Sequence, residues 1–429
     1  MRILAVTLIA LSACQLNPSE EPAEQPPQLA PMAQPAVAET MAVATAAAEP
    51  GGACVEVLSR TEFGPTNGNS RAVCLLDADG DGALDVFVGA FGEPDILYWN
   101  DGQGRLGSQA STTVGTGVGT AVGAGPGPTF GVAAADLNGD GQVDLLVAHS
   151  DELANVLQLN LGGRQGFESA DGGSLTEYAR DSYGAACADL DLDGDVDAVV
   201  ANRSAQNELH LNDGLAHFSS APADPLNSEA GNSRAVACAD LDGDGDDDVV
   251  IANWGSNAHA VYVNQGGAQG GEVGRFAQDR TTALGQVSAK SSGVALGDLD
   301  GDGDLDLAFS NRKGEANEVW LNSGGGQFSL SVGALPAGDG GNSTDVAMVD
   351  LDGDGMRDLL ILNRQGPPYL YLNDGSAGFS ACDGVSLAEE PLEATACAWG
   401  DLQGGGALDL LIVDAVGTDL QLSLGPARR

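Results

Sequence analysis

Basic residues are scarce in this chain. Only 17 of its 429 residues are Lys or Arg, against 62 Asp and Glu, and the formal net charge is −45. Such a polyanion is repelled by nucleic acid and by anionic membrane surfaces, and it suits cations. Aromatic residues are few as well, at 5%. Histidine occurs four times, and neither H-E-x-x-H nor G-x-S-x-G is present, so neither motif argues for an enzyme. The N-terminal apolar run, Ile3 to Leu11, is too short to span a bilayer as a mature helix. Against these shortages stand 62 glycines, regularly spaced Asp clusters and a hydrophobic fraction of 43%, enough for a core.

The N-terminus reads as a targeting signal: Arg2, the apolar run, then small residues. Leu11-Ser12-Ala13-Cys14 resembles the lipobox of bacterial lipoproteins. That resemblance implies loss of residues 1–13 as a signal peptide and lipid attachment to Cys14. It also implies a place in the bacterial cell envelope, and Gln15 after the cysteine suggests the outer membrane or cell surface. The other reading is an ordinary signal peptide with an incidental cysteine. Residues 14–52, rich in Pro, Ala, Glu and Gln, have too little apolar periodicity to fold and read as a disordered tether. Contact with the membrane is therefore expected through the lipid alone.

From residue 53 to 429 the chain repeats itself. D-x-D-x-D-G-x-x-D begins at Asp77, Asp136 (with Asn at its second ligand position), Asp189, Asp240, Asp298 and Asp350, and a decayed copy begins at Asp401. Each loop sits among short apolar runs bounded by Gly, Asn and Asp, which are strand signals. SSGVALG (291–297) precedes one loop, LDLAFSN (305–311) follows it, and NEVWLN (317–322) comes third. A fourth run starts on Phe167, Phe218, Phe276, Phe328 or Phe379. Four antiparallel strands in each of seven units predict an all-β, seven-bladed β-propeller with a loop between strands one and two of each blade. Each of these Phe residues lies 22 residues before the next loop. The same count back from Asp77 lands on Val55, so CVEV (54–57) is expected as the fourth strand of the last blade. In the first blade Leu106 replaces Phe, and the Gly-rich stretch 112–128 reads as a flexible loop.

Oxygen donors at loop positions 1, 3, 5 and 9, with a carbonyl near position 7, suit Ca²⁺ before Mg²⁺. The expected ligands are Asp77, Asp79, Asp81 and Asp85; Asp136, Asn138, Asp140 and Asp144; Asp189, Asp191, Asp193 and Asp197. The remaining sets are Asp240, Asp242, Asp244 and Asp248; Asp298, Asp300, Asp302 and Asp306; Asp350, Asp352, Asp354 and Asp358. That makes six sites. Gln403 and Gly405 in the seventh loop remove two donors, so little binding is expected there. Position 12 holds strand residues such as Val88 and Phe309, so these are not EF-hands.

These loops between short strands resemble the FG-GAP/VCBS repeats of integrin α-subunit propellers and of many bacterial surface proteins. The resemblance covers about residues 53–425. It implies calcium binding and a role in adhesion or ligand binding, with some relatives enzymatic.

Strand parity separates two faces. Loops after strands one and three share the calcium face. On the other face lie Asn202-Arg203, Asn253-Trp254, Asn311-Arg312-Lys313 and Asn363-Arg364, with His149, Arg71, Arg180, Arg234 and Lys290. Arg suits bidentate contacts to carboxylate or sulfate. Arg71, Arg203, Arg234, Arg312, Arg364, His149 and Trp254 are therefore candidate contacts for a glycan or protein ligand. A repeated register equally suits architecture, with Asn and Arg tying neighbouring blades through loop carbonyls. The main expectation is a monomeric, lipid-anchored binding propeller that is not an enzyme. A polysaccharide lyase or hydrolase using loop Arg, His149 and Tyr183, or a scaffold subunit of an envelope complex, are the alternatives. Six cysteines remain beyond Cys14 (54, 74, 187, 238, 382 and 397), and an even number in an exported protein suggests disulfides. Cys187 and Cys238, at the same register of adjacent blades, are the best candidate pair.

Overall fold

The computed structural model describes residues 55–63, 69–106, 112–113, 127–221, 224–227, 230–279, 284, 288–336, 341–382, 385, 387 and 392–426. The signal segment, Cys14, Cys54 and the tether lie outside the described residues. The fold is all-β: among the described residues the longest helix is the four-residue Ser174–Glu177.

The strands assort into four-stranded antiparallel units. In one of them Ser288–Gly297 pairs with Asp306–Asn311, which pairs with Glu318–Asn322, which pairs with Phe328–Leu330. The same order recurs in Ser70–Leu76, Asp85–Glu93, Ile96–Tyr98 and Thr112–Thr113. It recurs again in Gly127–Ala135, Asp144–His149, Val156–Asn160 and Phe167–Ala170. The unit at Ser182–Ala188, Asp197–Gln206, Glu208–Leu211 and Ser219–Ser220 follows it. So do Ala230–Ala239, Asp248–Ala258, Ala260–Asn264 and Phe276–Asp279. Ser343–Val349, Asp358–Asn363, Tyr369–Asn373 and Phe379–Ala381 form a sixth. The last unit joins both ends of the chain: Ala394–Gly400, Leu408–Asp414 and Asp419–Pro426 are completed by Val55–Phe63. First strands contact the first strands of the units before and after, and that of the last unit contacts Ser70–Leu76. The contacts therefore close into a ring.

Side-chain alternation drives this packing. Successive residues of a strand point to opposite faces of its sheet. Ala185, Cys187, Ala198 and Val200 pack with Ala133, Leu146 and Leu157 of the preceding unit. Ala186, Ala188, Val199 and Ala201 pack with Cys238, Val249 and Ile251 of the next. Both faces of each second strand are covered, which is why Leu307, Ala308 and Phe309 are apolar in succession.

The same alternation corrects the disulfide expectation. Cys187, Cys238 and Cys397 are buried thiols outside any disulfide, whereas Cys74 and Cys382 are disulfide-bonded. Equivalent positions in successive units point the same way round the ring. Cys238 faces the third unit, but Cys187 faces the second. The shared register that suggested the pair is what keeps the two sulfurs on different faces.

Of the Gly-rich stretch 112–128, Thr112–Thr113 form a short strand and 127–128 open Gly127–Ala135, while 114–126 lie outside the described residues. One smaller reading changes. Phe218 lies outside a fourth strand and bridges to Gly173 instead. Leu106 does take the Phe position, bridging Asn100 as Phe167 pairs with Asn160.

Candidate functional site

The Asp-rich loops are built by hydrogen bonds before any cation is considered. In the fifth unit the Asp298 carboxylate accepts the amides of Gly301 (2.7 Å) and Gly303 (3.1 Å). Gly303 has φ +97°, a conformation that favours glycine. Asp306, at position 9, is buried; its Oδ2 accepts the Leu299 amide and its Oδ1 the Asn322 amide. The pattern recurs in every intact loop, for example at Asp85, Asp144 and Asp248. Position 9 thus pins the loop to the end of the third strand.

The third-strand Asn extends the pin to the neighbouring unit. Asn322 Nδ2 donates to the Leu241 carbonyl of the preceding unit at 2.7 Å. Asn100, Asn160, Asn212, Asn264 and Asn373 make the same bond to Leu402, Ala78, Leu137, Leu190 and Leu299. In the sequence this Asn reads only as a boundary of the third apolar run. In the last unit the register puts Leu424 at this position, where it packs against the preceding unit in place of the amide.

Carboxylate oxygens converge within 4.8 Å in five loops: Asp77, Asp79 and Asp85; Asp189, Asp191 and Asp197; Asp240, Asp242 and Asp248; Asp298, Asp300 and Asp302; Asp350, Asp352 and Asp358. The donor set fits a hard cation. Buried oxygens of Asp189, Asp191 and Asp242 have no hydrogen-bond partner, and a cation would satisfy them. In the second loop Asn138 donates to Asp140, and among the described residues its three carboxylates form no such group. In the first loop Arg164 of the next unit bonds Asp79 at 2.6 Å. In the seventh, the Gln403 amide reaches Asp409 Oδ1 at 3.0 Å, a neutral donor in the loop that has lost two carboxylates. Burial pushes Asp85, Asp144, Asp197, Asp248 and Asp306 up to about 7 and Asp358 to about 6, partly offset by backbone donors.

On the opposite face a pocket of about 300 Å³ opens around the ring axis. Its construction depends on a β-bulge. Each first strand slips register against its second strand, and the extra residue lies six positions before the loop's first Asp. A bulge bends the strand and re-aims the side chain it releases. The bulged residues are Arg71, Phe130, Tyr183, Arg234, Ser292, Thr344 and Thr395, and all of them line the pocket. Trp254, within its second strand, and Arg312 and Arg364, which directly follow theirs, join them.

The hydroxyls stitch part of the rim. Ser292 donates to the Ser343 carbonyl, Thr344 to Ala394 and Thr395 to Ser70, each in the next unit. The rest is a ladder of rings and guanidinium groups. Arg71 lies over Phe91 (5.9 Å), Phe91 meets Phe130 (5.9 Å), and Phe130 meets Tyr183 (4.5 Å). Arg234 lies between Tyr183 (4.0 Å) and Trp254 (5.1 Å), and Arg312 covers Trp254 (5.6 Å).

Of the expected ligand contacts, Arg71, Arg234, Arg312, Arg364 and Trp254 line this pocket, whereas Arg203 and His149 do not. Arg203 is held by Asp181 at 2.6 Å. His149 is buried with Nδ1 3.1 Å from the Ala154 carbonyl, and burial lowers its pKa. It shares the register of Asn202, Asn253, Asn311 and Asn363, not of the arginines one residue on. Those Asn are architectural: each accepts a Ser hydroxyl (Ser182, Ser233, Ser291 or Ser343) and donates to a carbonyl of its own turn. Lys290 pairs with Glu315, and Arg180 with Glu208. Tyr183, named in the sequence only for the enzymatic alternative, lines the pocket as well, and Phe130, Ser292, Thr344 and Thr395 are lining residues that the face assignment missed. Their signal was the shared position six residues before the loop, masked because each repeat carries a different side chain there.

The FG-GAP-like repeat model matches residues 77–147, 189–251, 240–309, 298–361 and 350–412, together more than half of the chain. The chain belongs to the FG-GAP-like repeat family. Among curated proteins, mouse Cartilage acidic protein 1 is 28% identical over 193 residues, 43% of this chain and 29% of its own length. The Xenopus tropicalis protein of that name is 29% identical over 173 residues, 38% of this chain and 26% of its own. The FG-GAP-like chain thus spans less than a third of these relatives. Among solved structures, an Agrocybe aegerita lectin recognising non-reducing terminal N-acetylglucosamine aligns with TM-score 0.52 at 23% identity, covering 74% of this chain and 81% of the lectin. YCF48 bound to a D1 peptide aligns with TM-score 0.53 at 10% identity, covering 86% and 94%. These neighbours share a propeller-like fold with the FG-GAP-like repeats.

Proposed function

We propose that this protein is a calcium-stabilised, seven-bladed propeller that binds a glycan or protein ligand at the bacterial cell surface, anchored by lipid on Cys14. The observation that carries the reading is the axial pocket, where bulged residues from every first strand meet on the face opposite the Asp-rich loops. Concave sites with a few convergent polar groups are the usual form of ligand sites. Calcium would be held by the carboxylates of the loops, where it would relieve repulsion among groups crowded into one turn. Its place is structural, since the loops and the pocket lie on opposite faces.

Two measurements test this reading. Chelation is expected to lower the thermal midpoint, with recovery on adding calcium but not equimolar magnesium. An unchanged midpoint would remove the metal from the account. A screen of glycans and surface peptides is expected to yield ligands whose binding weakens on Trp254→Ala or Arg312→Ala. Hits indifferent to both substitutions would move the site elsewhere.

A further inference from the structure

The axial pocket concentrates positive charge in a strongly negative molecule. Asp181 neutralises Arg203, and Glu393 neutralises Arg364 at 3.1 Å. Among the described residues, Arg71, Arg234 and Arg312 have no carboxylate in salt-bridge contact. They are held by stacking on Phe91, Tyr183 and Trp254. Arg71 Nη2 also donates to Asn69 Oδ1 (2.9 Å) and Arg312 Nε to Asn342 Oδ1 (3.3 Å), but neither acceptor is charged, and the Nε atoms of Arg71 and Arg234 are buried and unpartnered. Burial, and then the neighbouring Arg364, Arg234 and Arg71, push Arg312 down to about 10, as expected where like charges crowd.

Three features narrow the ligand. The wall hydroxyls spend their protons on carbonyls, so the guanidinium groups are the charged donors facing the pocket, and the lining carboxylate Asp345 is turned to the Val346 and Cys397 amides. Guanidinium groups lie over the Tyr183 and Trp254 rings, which leaves little open face for stacking a sugar. The net charge of −45 repels a polyanionic chain at long range, while a cavity of about 300 Å³ admits one compact group.

We propose that the axial pocket is a receptor for a single compact oxyanion, a carboxylate or sulfate on an otherwise uncharged sugar, held by the N–H edges of Arg71, Arg234 and Arg312. The assignment rests on the reading of this face as the binding surface, and it names the group recognised there. Arg edges match such groups bidentately. Burial in a low-dielectric pocket strengthens each bond.

Titration calorimetry with the calcium-loaded protein at fixed ionic strength tests it, using D-glucuronate, D-glucose, inorganic sulfate and a heparin fragment. Saturable glucuronate binding, competition by sulfate and no glucose binding are expected. Arg234→Gln and Arg312→Gln should each weaken glucuronate by about tenfold to a hundredfold, and Arg234→Lys by less. Thermal midpoints confirm that each variant is folded. Sulfate binding without glucuronate still supports an oxyanion receptor and assigns it to tetrahedral groups. Glucose binding as tightly as glucuronate, heparin binding more tightly than either anion, unchanged affinity in both Gln variants, or no saturable anion binding at millimolar concentration overturns it. A neutral screen hit that depends on Trp254 would sink the oxyanion while leaving the binding surface standing. Hits from no class at this face would sink both.

Discussion

Replacing Asn264 with Ala probes how the units are held together. Asn264 is fully buried at the end of a third strand. Its Nδ2 donates to the Leu190 carbonyl of the preceding unit (2.8 Å) and to Asp247 (3.2 Å), and its Oδ1 accepts the Gly274 amide (3.0 Å). Alanine removes all three side-chain bonds and leaves a small cavity. Its backbone amide still reaches Asp248, so the Asp-rich loop keeps its pin. A buried polar group deprived of its partner costs about 1–3 kcal/mol, and a carbonyl with a second lone pair sits near the low end. The three losses together amount to about 3–5 kcal/mol. Whole-domain stability is typically about 5–15 kcal/mol, so the effect would be severe.

The assay is urea unfolding in saturating calcium, followed by the shift in midpoint at constant slope. Asn264→Ser should be milder than Ala, because its hydroxyl leaves one polar group in the buried site. Asn264→Asp should be at least as harmful as Ala, since it sets an oxygen against two carbonyls. Calcium affinity should be unchanged in all three. A loss below about 1 kcal/mol for Asn264→Ala would mean that the inter-unit bond adds nothing beyond apolar packing.

Two further outcomes are expected. Asp419 is buried, accepts the Asp414 amide and the Ser70 hydroxyl, and is pushed by burial from 3.8 to about 7. A carboxyl whose folded pKa is raised contributes stability that is complete below its unfolded pKa and lost as pH rises through the folded one. Asp419→Asn should therefore raise the thermal midpoint at about pH 8 and gain less at about pH 5, and an equal change at both would refute the buried-carboxyl account. Asn155, Asn207 and Asn317 fill the same role in other units, so the substitution suits the site. Cys187, Cys238 and Cys397 should resist thiol reagents in the native protein and react after denaturation, as buried thiols do. A disulfide between Cys187 and Cys238 in peptide mapping would contradict the packing directions given above.

The parts of the fold legible in the sequence are those that recur in every unit. Asp at loop position 9, glycine at position 6 and the third-strand Asn serve local geometry that each unit must solve in the same way. Their spacing therefore exposes the repeat, and the return of Val55–Phe63 onto Asp419–Pro426 follows from counting. The direction of a side chain round the ring was harder to read. Spacing alone treated Cys187 and Cys238 as neighbours, and only the pleat of two packed sheets separates them. His149 was set beside the arginines for the same reason: one residue of register divides the architectural Asn positions from the pocket-lining ones.

The axial pocket was less legible because its position repeats and its chemistry does not. A bulge leaves no residue signature, so nothing marks Arg71, Phe130, Tyr183 and Arg234 as equivalents of Ser292, Thr344 and Thr395. In the fifth, sixth and seventh units the released side chain is a hydroxyl that binds the next unit, which is what architecture alone requires. In the first four units that bond has been given up. Two guanidinium groups and two rings stand there instead, larger than closure of the ring needs. Where one small hydroxyl joins the later units, Arg, Phe, Tyr and Arg join the earlier ones by stacked rings and guanidinium groups, and under the proposal above they also carry the donors for the oxyanion. The stacking satisfies the faces of these groups, and the Nε atoms of Arg71 and Arg234 are left without a partner.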